Sequence, residues 1–66
     1  MTITVNGQSM EVADGASVEA LLTQLGVPRR FTAVAVNREV MPRSDYESTA
    51  LRPGDRVEIV RPMGGG

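Results

Sequence analysis

Neither cysteine nor histidine occurs anywhere in these 66 residues, and that double absence fixes how such a chain must hold itself together. A domain of this size buries only about 60% of the surface its unfolded chain exposes. Domains this small usually add disulfides or a structural metal to a thin apolar core. With both staples missing, the fold has to rest on hydrophobic packing alone. The same absence removes zinc, iron–sulfur and thiol redox chemistry, and the carboxylates are not spaced as a calcium loop. So short a chain also leaves little room for a deep pocket.

Charge narrows the field further. Seven arginines face eight acids, for a net charge of −1 and a pI near 5.2, whereas nucleic-acid-binding domains are typically basic with clustered Lys and Arg. Phe31 and Tyr46 are the only aromatics, too few for a base-stacking platform. Lysine is absent, so no side-chain amine can act as a nucleophile or form a Schiff base. The apolar stretches fall far short of the roughly 20 residues that span a bilayer, and no basic segment followed by an apolar run opens the chain. The expectation is a soluble cytoplasmic protein that binds neither nucleic acid nor membrane.

Hydrophobic periodicity gives the order of elements. Ile3 and Val5 alternate with Thr2 and Thr4, Asn6-Gly7 follows, and Met10 and Val12 then alternate with Ser9 and Glu11. Alternation around Asn-Gly signals a β-hairpin, because a type I′ turn needs positive φ at both central residues. Ser17 is a good N-cap before Val18, Leu21, Leu22 and Leu25, which sit at i, i+3, i+4 and i+7 and form one helical stripe. Gly26 suits a left-handed C′ position and Pro28 stops the helix. Residues 32–36 (Thr-Ala-Val-Ala-Val) are nearly all apolar, as in a strand inside a sheet. Asn37-Arg38 turns the chain into a short strand at residues 39–41, and residues 43–50 read as a loop or single helical turn. Arg52-Pro53-Gly54-Asp55 suits a type II turn. The last strand, residues 56–61, places Val57 and Ile59 on one face and Glu58 and Val60 on the other.

One helix and one sheet must then cover each other, each having a single apolar face. The expected core is Ile3, Val5, Val12, Val18, Leu21, Leu22, Leu25, Val34, Val36, Leu51, Val57 and Ile59. The pattern matches an α+β fold of the β-grasp, ubiquitin-like type: a mixed sheet of four to five strands with one packed helix, the first and last strands pairing in parallel at the centre. Residues 1–61 make the domain and residues 62–66 a flexible tail.

The body offers little chemistry. A serine nucleophile needs an adjacent base, and histidine is missing; carboxylate pairs need a cleft to separate their pKa values. Tyr46 reads as an anchor for its loop, and Arg29-Arg30 and Arg52 with Arg56 as ordinary surface charges. The tail differs. Gly64-Gly65-Gly66 has no Cβ and weak backbone preference, and residues 62–66 reach roughly 17 Å when extended at about 3.4 Å each. Bare backbone of that kind can thread a channel that excludes substituted residues. At its end it presents the α-carboxylate of Gly66, ionised at neutral pH and resistant to nucleophiles until activated. Coupling to ATP gives an acyl adenylate, and a sulfur nucleophile that displaces AMP leaves a C-terminal thiocarboxylate. Val60, facing away from the core, forms a small apolar patch with Ala33 or Ala35, and Met63 is an adaptable contact residue. Arg61 is placed to steer acidic partners.

The chain as a whole resembles the sulfur-carrier proteins of thiamine biosynthesis, the ThiS group. The resemblance rests on Ile3-Thr4-Val5-Asn6-Gly7, the helix at residues 18–26, Ala33-Val34-Ala35-Val36-Asn37, Val40-Met41-Pro42-Arg43-Ser44, Pro53-Gly54-Asp55-Arg56-Val57-Glu58-Ile59-Val60 and the terminal glycines. It implies that a ThiF-type, E1-like enzyme adenylates Gly66 and that a cysteine desulfurase or rhodanese-type protein supplies sulfur. A ThiG-type thiazole synthase would then consume that sulfur. The chain would be a monomeric co-substrate, not an enzyme, binding no cofactor itself while its partner uses ATP. Other readings stay open on the residues alone: a carrier serving molybdopterin, cysteine, siderophore or tRNA thiolation, or a ubiquitin-like modifier or non-covalent adaptor. The third glycine adds a further possibility, that trimming leaves the reactive carboxylate on Gly65.

Overall fold

The first hairpin forms where the Asn-Gly pair demands it. In this computed structural model, which describes residues 1–30 and 32–60, β1 (Thr2–Val5) and β2 (Gln8–Glu11) run antiparallel with Val5 opposite Gln8. Asn6 and Gly7 take φ of 49° and 84°, the two positive values a type I′ turn requires.

The helix α1 (Val18–Leu25) starts and stops by identifiable hydrogen bonds. Ser17 Oγ accepts from the Ala20 N–H at 3.0 Å. The Val18 N–H donates to the Thr49 carbonyl at 3.2 Å and the Glu19 N–H to the Tyr46 carbonyl at 3.0 Å. Leading helix amides have no partner within the helix, so the loop after residue 45 completes the helix start. That clamp explains why Tyr46 is only 1% exposed and joins the core; it is a core member as well as the expected loop anchor. At the other end, Gly26 at φ 70° donates to the Thr23 carbonyl and Val27 to the Leu22 carbonyl, the paired bonds of a Schellman motif.

The rest of the sheet follows as β3 (Ala33–Val36), β4 (Glu39–Val40), a 3₁₀ turn (Arg43–Asp45) and β5 (Arg56–Val60). The turn before β5 is of the expected kind: Gly54 has φ 83° and the Asp55 N–H donates to the Arg52 carbonyl at 3.1 Å. Five strands form one sheet in the order β2-β1-β5-β3-β4. β1 and β5 are parallel, with Thr4 beside Arg56 and Val5 beside Val57, and β5 is antiparallel to β3. This is the β-grasp fold, with the last strand at the centre of the sheet.

Between sheet and helix lie Ile3, Val12, Val18, Leu21, Leu22, Val34, Tyr46, Leu51 and Val57. Val5, Val36 and Ile59 pack against this cluster from its margin, half-buried. Leu25 departs from the expected core, being 36% exposed. The Schellman motif turns the chain after Leu25 and tucks Val27 against the cluster in its place.

Candidate functional site

The site begins from β5, the last described strand of the chain, after which residues 61–66 follow in sequence. Strand alternation sends Val57 and Ile59 inward and Arg56, Glu58 and Val60 to the face without the helix. On that outer face Ala33 lies opposite Val60, and Ala35 lies opposite both Glu58 and Val40. Val60 is 63% exposed and Val40 79%. Val40, Ala35, Ala33 and Val60 therefore make a shallow apolar strip reaching the last described residue of the central strand. Val60 thus sits where expected; Val40 is an addition that single-strand alternation cannot supply, since only the β3–β4 register brings it beside Ala35. Arg61, Met63, Gly64, Gly65 and Gly66 lie outside the described residues.

Two asparagines finish β5 at its ends. The Asn37 N–H donates to the Arg56 carbonyl at 2.7 Å while Asn37 Oδ1 accepts from the Arg56 N–H at 3.0 Å. Asn6 Oδ1 accepts from the Ile59 N–H at 2.8 Å, and Asn6 Nδ2 donates to the Ile59 carbonyl at 3.3 Å. Both residues hold left-handed backbone, with φ of 49° and 52°, a conformation asparagine tolerates better than most. The dipeptides mark turns in the sequence; the bonds from their side chains to a strand far along the chain have no local signal.

The arginines divide by environment. Arg29 is committed to the fold: its guanidinium lies 3.5 Å from Glu19 and 3.6 Å from Glu47, donates to the Arg43 carbonyl at 3.2 Å and sits 5.9 Å from the centroid of the Tyr46 ring. Arg38 and Arg56 line an open cleft with Asn37 and Gly54, at the start of β5 and so at the far end of that strand from Val60. Among the described residues no group of three potential metal ligands comes together, and no helix is long and apolar enough to cross a membrane.

A family model for ThiS matches residues 3–66. The chain belongs to the ThiS family. It is 32% identical to the sulfur carrier protein ThiS of Escherichia coli strain K12, with each chain covered in full. The crystal structure of the thiamine biosynthesis protein ThiS from Geobacter metallireducens superposes with a TM-score of 0.85 at 38% identity over 100% of both chains. A thiazole synthase of Paramagnetospirillum magneticum contains a segment 42% identical to all 66 residues. The chain spans only 20% of that enzyme's length. Sheet order, register and full-length matches thus agree on a β-grasp domain of the ThiS sulfur-carrier type.

Proposed function

We propose that this chain carries sulfur as a thiocarboxylate on the C-terminal carboxyl of Gly66 and delivers it to a thiazole synthase in thiamine biosynthesis. Membership of the ThiS family is the observation that carries this reading. The geometry supports it: the central strand, which these last residues follow in sequence, ends at Val60 in an exposed apolar strip. A thiazole synthase that includes a segment matching this whole chain favours that enzyme class as the acceptor over the other carriers' acceptors.

In the proposed cycle, a ThiF-type adenylyltransferase binds ATP and the carrier together. A carboxylate oxygen of Gly66 attacks the α-phosphorus, pyrophosphate leaves, and the acyl adenylate forms. The outer sulfur of a persulfide on a cysteine desulfurase or rhodanese-type donor adds to the acyl carbon and expels AMP. A thiol then attacks the donor's sulfur of the resulting acyl disulfide, forming a disulfide with the donor cysteine and releasing the thiocarboxylate. The carrier contributes a carboxyl without side-chain shielding, a slender Gly64-Gly65 approach to it, and a docking surface of Val60, Arg61 and Met63. It holds no catalytic group; the chemistry belongs to its cytoplasmic partners, and the carrier is consumed and regenerated.

ATP–pyrophosphate exchange by a ThiF-type enzyme tests this reading. Exchange should depend on the carrier, and Gly65→Ala should lower it by roughly 100-fold, the scale of loss when a reacting group is displaced by about 1 Å. Full exchange with a carrier lacking Gly66 would overturn it.

A further inference from the structure

β1 ends at Val5, too early to complete the sheet beside β5. The Thr4 N–H donates to the Asp55 carbonyl and the Asn6 N–H to the Val57 carbonyl, both at 2.9 Å. Continued by the same rule, this parallel ladder would have the Ile59 N–H donate to the Asn6 carbonyl and the Ile59 carbonyl accept from the N–H of residue 8. Neither is available, because Asn6 at φ 49° has already turned the chain and Gln8 pairs back onto β1 in β2. The Asn6 side-chain amide supplies both groups instead, Oδ1 taking the Ile59 N–H at 2.8 Å and Nδ2 reaching the Ile59 carbonyl at 3.3 Å. A primary amide offers the same acceptor and donor as a peptide unit, so the side chain acts as one more link of the ladder.

We propose that Asn6 is a positioning residue for the end of β5, and through it for the carrier's engagement with its partner: its amide holds Ile59 on the β1 side, as Ala33 holds Val60 on the other, and so fixes where the last described residue of the central strand stands. The proposal rests on the sulfur-carrier reading for its functional consequence but not for its structural part. With the amide removed, β5 is held on one flank over its last two residues. Each encounter with an adenylating enzyme must then select the productive position of that end from a wider set, which weakens ground state and transition state alike and raises KM with kcat unchanged.

Asn6→Gly is the decisive variant, because glycine accepts the positive φ of the turn without strain and deletes only the amide. Asn6→Asp keeps the acceptor, loses the donor, and serves as the second variant if the first folds poorly. In Asn6→Gly the Ile59 amide should exchange with solvent roughly 3- to 10-fold faster, the range for one lost net hydrogen bond, with the Val34 amide unchanged. KM for the carrier in ATP–pyrophosphate exchange should rise by a similar roughly 3- to 10-fold factor with kcat within about twofold. Asn6→Asp should keep Ile59 N–H protection and fall between wild type and Asn6→Gly in KM. Wild-type exchange of Ile59 in Asn6→Gly would overturn the proposal, and so would faster Ile59 exchange with an unaltered KM, the mark of a purely structural bond. A wild-type carrier that supports no ATP–pyrophosphate exchange would instead refute the sulfur-carrier reading, and amide exchange alone would then decide whether Asn6 holds the strand.

Discussion

The two faces of the sheet are made from the same small aliphatic residues and meet opposite fates. On the inner face Ile3, Val34 and Val57 are at most 1% exposed beneath the helix. On the outer face Val40 and Val60 stand 79% and 63% exposed beside Ala33 and Ala35. Folding accounts for the first face completely, because one helix is enough to cover one face and no other layer exists among the described elements. It gives no reason for the second. An exposed aliphatic strip that ends at Val60, the last described residue of the central strand, is spare for the fold; under the proposed docking role, substitutions on the two faces should separate stability from partner binding.

The largest effect belongs to the inner face. Leu21, fully buried in the helix stripe, should cost about 2–5 kcal/mol when replaced by alanine. Against a total of roughly 0.05–0.15 kcal/mol per residue, that substitution should move the urea midpoint drastically or abolish the transition. A smaller effect of a different kind is expected from Val60→Asp: stability within about 0.5 kcal/mol of wild type, but kcat/KM for the carrier in adenylation reduced by roughly tenfold or more, as for an interface anchor. A Val60→Asp carrier that unfolds easily and docks normally would erase the contrast between the faces. Next comes Ser17→Ala, which removes the cap on Ala20 and should lower stability by about 1 kcal/mol without altering adenylation of the folded protein. Smallest is Val40→Thr, at the far end of the outer strip. Its stability should stay within about 0.5 kcal/mol, and any change in carrier KM should be smaller than that of Val60→Asp.

Much of this architecture is legible in the residues because its signals are local. Asn6-Gly7, Ser17, Gly26 and Gly54 each occupy the turn or cap that their side chains and φ preferences call for. The parallel pairing at the centre follows from having one helix between the hairpin and the later strands. What escapes is tertiary. Leu25 fits the helical stripe, yet the Schellman turn exchanges it for Val27. Tyr46 lies in a polar stretch, and only the carbonyls that its loop gives to the start of the helix explain its burial. Val40 joins Val60 through cross-strand register, and the Asn6 amide reaches across 53 positions in sequence to Ile59, a distance no local pattern spans. The outward exposure of Val60 is readable from alternation alone, whereas the amide that holds the strand beside it is not.

Intact-mass spectrometry tests the central claim most directly. After incubation with ATP, a ThiF-type adenylyltransferase and a sulfur donor, the chain should gain the mass difference between one sulfur and one oxygen, and fragmentation should place the gain on Gly66. An unchanged mass beside an enzyme shown to be active on another carrier, or a gain located anywhere other than the C-terminal peptide, would contradict the account.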